Sequence, residues 1–234
     1  MPRPLLVLIA GLAFTTAAAA GGLARDARIG VVDALAPRLS AGFGPALEQP
    51  LAPSVRDDWR LGALAREAAV TRLDGLGYRA SASELPRALA DTVRRGGAVD
   101  TGMSSVRLDA RFARELGRWM RSQRLDGVLV LRTLPRALAA GAPAQGGHGI
   151  APRGQASVAY ANLAPLLLSN AAAPTIVAAP SCLVTATLER EQLANPRTLA
   201  DLAPVAPVLE QVLRSAVDGA LIRAEVMPGT AACE

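Results

Sequence analysis

Residues 112–132 read FARELGRWMRSQRLDGVLVLR, and the fold class turns on this stretch. Phe112, Leu116, Trp119 and Met120 recur at helical spacing, while Arg114, Arg118 and Arg121 fall on the opposite side. Asp109 stands at the N-cap position, where a carboxylate accepts from a backbone N–H that the first turn leaves unpartnered. The spacing predicts an amphipathic helix. Asp126-Gly127 follows, and then Val128-Leu129-Val130-Leu131, a continuous apolar run. A strand with no polar alternation is covered on both faces, as in the middle of an α/β sheet.

Upstream, Arg28-Ile29-Gly30-Val31-Val32 reads as a strand, and Leu39 to Phe43 as its partner across a turn at Ala36-Pro37. Asp57 or Asp58 is placed to cap a helix from Trp59 to about Leu73, which Gly75 and Gly77 end. Tyr78 to Ala82 is a short strand. Ser83 is expected to cap a second helix carrying Leu85, Leu89 and Val93, stopped by Gly96-Gly97. A polar loop runs from there to Asp109. Downstream, residues 139–154 hold Gly141, Gly146, Gly147, Gly149, Gly154, Pro143 and Pro152, the composition of a long mobile loop or hairpin tip. Ser157 to Leu168 and Thr175 to Leu188 read as an antiparallel hairpin, turning at Asn170 to Pro174 and bent at Pro180. Asn195-Pro196 opens the last helical region. Pro207 restarts it, and Val208, Leu209, Val212, Leu213 and Ala216 give an apolar face. The expectation is an α/β (α+β) fold: a single mixed β-sheet with helices packed on it, plus a C-terminal hairpin and helix.

Residues 1–20 carry the marks of a signal peptide. Arg3 is followed by an apolar run from Leu5 to Phe14, then by small residues with Ala18 and Ala20 in the cleavage positions. Residues 21–234 then form one domain in the periplasm or outside the cell, with no later stretch suited to crossing a membrane. All 25 basic residues are Arg, and the net charge is +5. The arginines are scattered and aromatic residues make up 3% of the chain, so there is no nucleic-acid footprint. Two cysteines, Cys182 and Cys233, are expected to pair in an oxidising compartment and to pin the C-terminal tail. Two unpaired thiols are the competing reading.

The chain holds one histidine, His148, within Gly146-Gly147-His148-Gly149. Any Ser-His-Asp arrangement must use it. Ser157 is the nearest nucleophile in sequence, and Asp33 the most suggestive carboxylate, because it ends the first strand and ligand sites in α/β folds gather at strand ends. There is no G-x-S-x-G elbow and no G-x-G-x-x-G or Walker motif. One His with two paired cysteines leaves no zinc set, and no cofactor or metal is expected. An ordinary loop residue is the simpler reading of His148, and a turn or cap that of Asp33.

The strand Arg28 to Leu35, the helix beginning at Asp58-Trp59, the strand Asp126 to Leu131 and the Gly-rich segment before a hairpin together look like uncharacterised secreted α/β proteins of proteobacteria. In element order the chain resembles periplasmic domains such as the amino-terminal domain of the TolB translocation protein and the periplasmic domain of the curli secretion channel. The resemblance is one of layout, carries over no catalytic residue, and implies a non-catalytic role in envelope interaction or assembly. The leading expectation is thus an exported binding domain with envelope proteins as partners. A hydrolase using His148, Ser157 and Asp33 and a small-ligand carrier are the alternatives.

Overall fold

The computed structural model describes residues 23–35, 38–41, 55–56, 59–101, 106–134, 138, 147–153, 156–170, 173–189 and 200–234. The proposed leader, the capping residues Asp57 and Asp58, most of the Gly-rich segment (139–146 and 154) and Asn195-Pro196 lie outside them.

Strand β1 (Arg28–Asp33) is an inner strand of the first sheet. It is flanked in parallel by β4 (Arg79–Ser83) and β7 (Gly127–Leu131), with Val32 opposite Val130 and Ser83. Antiparallel strands β10 (Leu166–Asn170) and β11 (Pro174–Ala178) complete a five-stranded sheet in the order β11-β10-β7-β1-β4. A second five-stranded sheet runs β12-β9-β8-β2-β3. Its members are β2 (Arg38–Ala41), β3 (Val55–Arg56), β8 (His148–Arg153), β9 (Ala156–Leu163) and β12 (Cys182–Thr187).

The helices cover the first sheet on both sides. On one side lies α1 (Leu61–Gly75), packed against α4 (Ala206–Arg223), which lies on β9 and β12 of the second sheet; on the other lie α2 (Arg87–Arg94) and α3 (Ala110–Ser122). The apolar strands serve both at once, because successive side chains point to opposite faces. Ile29, Val31, Leu129, Leu131 and Leu167 join the core beneath α1 and α4. Their sequence neighbours Val32, Val128, Val130, Leu166 and Leu168 join Phe112, Leu116 and Met120 beneath α2 and α3. This is the two-sided burial expected of the Val128–Leu131 run. The Asp109 cap also forms, with its carboxylate accepting from Phe112 N at 2.8 Å. The first core continues into the second sheet, where Ile150, Ala159, Ala161, Leu163 and Cys182 pack with Leu209, Val212, Leu213 and Ala216 of α4.

The α+β class stands, but the single expected sheet divides in two. The hairpin expected over 157–188 crosses from one sheet to the other. Its outer halves, β9 and β12, pair in the second sheet, and its inner halves, β10 and β11, in the first. The breaks fall at Ala164-Pro165 and Ala179-Pro180, where a proline has no N–H for the ladder. Arg132 bridges the first break, with Nε donating to Ala164 O at 2.9 Å and Ala164 N donating to Arg132 O at 2.8 Å.

Three further expectations change. β2 does not pair with β1; it lies parallel to β8 and antiparallel to β3 in the second sheet. Ser83 caps no helix, because Pro86 takes the N-cap of α2 and holds the preceding residues extended. The segment before Asp109 is a small hairpin, β5 (Val99–Thr101) with β6 (Val106–Leu108). Among the described residues no helix is long and apolar enough to cross a membrane.

Candidate functional site

The two candidates named by the sequence at opposite ends of the chain, Asp33 and His148, come into electrostatic reach of each other at the seam between the sheets. Asp33 ends β1 opposite Leu131 of β7, at the carboxyl end of the parallel strands, where α/β folds place ligands. Its Oδ1 accepts from Leu35 N at 2.9 Å, which closes a turn. Its carboxylate abuts the first turn of α1, filling the room that a side chain on Gly62 would need. That helix begins after Arg60, which takes the left-handed conformation at φ 55° without a side-chain cap. Burial pushes the Asp33 carboxyl above its usual pKa. The Leu35 N–H, the Arg66 and Arg94 guanidiniums and His148 pull the other way.

His148 is the first residue of β8 and is 2% exposed. Residues 148–153, expected within a mobile loop or hairpin tip, form strand β8, and Gly147 and Gly149 admit neighbouring groups at close quarters. The Thr133 side chain lies where a β-carbon on Gly147 would stand. The Ser40 backbone does the same at Gly149, which has φ 144° and pairs with Ser40 across the β2–β8 ladder. Among the described residues neither His148 ring nitrogen has a hydrogen-bond partner. Burial lowers the His148 pKa to about 4, against which the Asp33 charge acts, so the ring is neutral at pH 7.

On neighbouring β9, Asn162 and Tyr160 point to the face of the second sheet opposite His148, which pairs with Ala161 between them. Asn162 is buried at 4% exposure. Its Nδ2 donates to Leu134 O at 2.8 Å and its N to Gly147 O at 2.7 Å, while Oδ1 has no partner. The Tyr160 hydroxyl is pushed up to about 12 by burial, and a hydrogen bond with Ser40 offsets part of this. Arg66, one helical turn beyond Gly62, keeps a buried Nε without a partner.

Ser157 does not join this group. His148 pairs with Ala161 of β9, whereas Ser157 pairs with Pro152 at the far end of the same ladder. Four residues along a strand separate them by roughly 13 Å. The geometry therefore assembles a carboxylate and a buried neutral imidazole without a nucleophile from Ser157. Among the described residues no group of three His, Cys, Asp or Glu side chains is placed to hold a metal ion. Gly62, Thr133, Ser40 and Asn162 went unread in the sequence, since only the pairing of distant strands gives them a common address.

The expected disulfide is present, Cys182 to Cys233, closing a separation of 51 residues. It rests on Gly219 of α4, where a β-carbon would stand 2.6 Å from Cys182 Sγ. Beyond it, Glu234 is held by Arg153 through two contacts of 2.8 Å, and Glu234 N donates to Leu183 O at 2.9 Å.

On the other side of the molecule, α3 and the start of β11 enclose a groove of about 540 Å³. Arg114, Arg118 and Arg121 edge it above Ala110, Ala113, Gly117 and Pro174.

No family model matches this chain, and no curated protein matches it. Among solved structures it is similar to a hypothetical protein of Chlamydia trachomatis, with TM-score 0.43 and 10% identity over 86% of this chain and 96% of that one. It is also similar to PelC of Paraburkholderia phytofirmans, a dodecamer, with TM-score 0.35 and 15% identity over 88% and 93% of the two chains. A lipoprotein of Neisseria meningitidis gives TM-score 0.34 and 19% identity over 80% and 97%. The likeness to the TolB and curli domains rests on layout alone.

Proposed function

We propose that this protein is an exported, disulfide-stabilised envelope domain that works by binding or assembly and not by catalysis. The observation that carries the reading is the state of its one histidine. His148 is sealed from solvent, neutral, and separated from Ser157 by the length of a strand ladder. A general base must reach the proton it removes, directly or through one water. The Cys182–Cys233 bond and the leader-like residues 1–20 favour an oxidising compartment outside the cytoplasm. Envelope proteins are the partners this reading names.

The test is an esterase assay on the disulfide-intact protein with a p-nitrophenyl ester, alongside His148→Ala. Equal, background-level turnover in both is expected. Turnover that His148→Ala abolishes would return the hydrolase reading to the front.

One observation favours a second reading, a small-ligand carrier. Among the described residues His148 and Arg66 Nε are buried polar groups without partners, and both act electrostatically on Asp33. Buried polar groups are ordinarily satisfied, and a polar ligand is one way to satisfy them. A rise in melting temperature with one class of small polar solutes supports it, and a flat response across acids, amines and sugars counts against it.

A further inference from the structure

We infer that the groove along α3 is a docking site for an acidic, partly apolar segment of a partner protein, and this rests on the binding reading above. The groove has two chemically distinct parts. Its floor is Ala110, Ala113, Gly117, Ala173 and Pro174, with no polar side chain among them. Gly117 lets the helix settle on the strand: a β-carbon there would stand 3.0 Å from Pro174 Cδ. The rim is Arg114, Arg118 and Arg121, spaced so that they form one stripe along the helix.

No carboxylate neutralises that stripe. Among the described residues none of the three arginines has an ion pair, although Arg111 on the same helix pairs with Glu115 at 3.1 Å. Three unpaired guanidiniums above an apolar floor call for a ligand with anionic groups at its edge and apolar groups beneath. Guanidinium forks take carboxylates in bidentate fashion. A peptide with Glu or Asp beside Leu or Val supplies both parts. An anionic polysaccharide leaves the floor unused, and a bilayer is too flat to enter a groove. A nucleic acid would want aromatic stacking platforms, and the lining holds no aromatic residue.

The experiment is fluorescence anisotropy on the disulfide-intact protein with a labelled synthetic peptide alternating Glu and Leu. A Glu→Gln version of that peptide and phosphatidylglycerol vesicles are run beside it. Saturable binding of the Glu–Leu peptide is expected, falling with salt and absent for the Gln version. Combined R114Q, R118Q and R121Q should weaken it at least roughly tenfold. Ala113→Leu, which fills the floor and keeps every charge, should weaken it comparably. The arginine variant should melt with the wild type, since the three arginines are exposed. Undiminished binding by either variant, or binding to the vesicles and not to the peptide, overturns the inference. Its failure leaves the non-catalytic reading standing, because that reading falls only on His148-dependent turnover.

Discussion

The carboxylate of Asp33 occupies the space in which a side chain on Gly62 would lie. One residue ends β1 and the other lies in the first turn of the helix that covers it, so this contact fixes how α1 sits on β1. Gly62→Ala should destabilise the protein by roughly 1–3 kcal/mol, because the carboxylate and its bond to Leu35 N must move. On an Asp33→Ala background the same change should become favourable by about 0.5–1 kcal/mol, the ordinary gain of Ala over Gly in a helix. Urea unfolding of the four proteins checks the reversal of sign. Equal costs on both backgrounds would mean that the two residues do not couple.

Acid should weaken the fold through His148. Its pKa is about 4 when folded, against an ordinary 6.5. As pH falls below 6.5 the unfolded chain takes up a proton that the folded ring refuses until about pH 4. The stability lost across that window is about 3 kcal/mol, and none of it is lost above the window. Asp33 acts in the opposite sense, since its raised pKa makes the folded state the better proton acceptor in acid. His148→Leu removes two unpartnered ring nitrogens and the titration together. Denaturant midpoints at pH 7 and pH 4.5 should fall less for this variant than for the wild type, and parallel falls would remove His148 as the cause.

The same electrostatic link can be read from His148 itself. The Asp33 charge holds the imidazole pKa up against burial. Asp33→Asn keeps an acceptor for Leu35 N and deletes the charge. The His148 pKa followed by NMR should therefore drop further in this variant. A value that does not move would show that the two groups are not electrostatically coupled.

The two fastenings of the C-terminal tail should differ sharply in strength. Removing the disulfide with Cys182→Ala and Cys233→Ala should cost about 4 kcal/mol for a loop of this length, lowering the melting temperature strongly. Arg153→Gln breaks the clamp on Glu234, but both side chains are about 40% exposed, so solvent screens the pair. Its cost should stay below about 1 kcal/mol. Calorimetry of the two proteins checks the ranking, which a larger effect of Arg153→Gln would reverse.

Gly149→Ala should be more damaging than most glycine changes. The residue combines φ 144° with the Ser40 backbone lying where a β-carbon must go. A flexible side chain can yield to a new methyl group, but a hydrogen-bonded strand cannot. The loss should be about 3 kcal/mol or more, with β2 released from β8. Faster amide exchange in residues 38–41 and 148–150 would report that release, and unchanged protection there would refute it.

Much of this architecture is written in local patterns. Phe112, Leu116 and Met120 announce α3, Asp109 announces its cap, and the Val128–Leu131 run announces a strand buried on both faces. These signals are readable because helical spacing, capping and two-sided burial act over a few residues. The pairing of Cys182 with Cys233 needed only a count. The division into two sheets was not readable. A hairpin that continues through a proline and one that changes sheet there have the same sequence; which occurs depends on whether β7 or β8 offers the free edge.

The neighbourhood of His148 shows the same limit most clearly. In sequence, Gly146-Gly147-His148-Gly149 has the composition of a mobile loop, and its glycines suggest freedom. In the fold, Gly147 and Gly149 are bare because Thr133 and the Ser40 backbone lie against them, and His148 is buried between. Sequence by itself determined α3 with its cap, the buried strand β7, the class of fold and the disulfide, since each follows from residue type and short-range spacing. Tertiary structure alone decided that Asp33 meets Gly62, that His148 is sealed away from Ser157, and that three arginines edge an apolar groove. Those relationships join residues from distant parts of the chain, and only the packing of one sheet against the next brings them together.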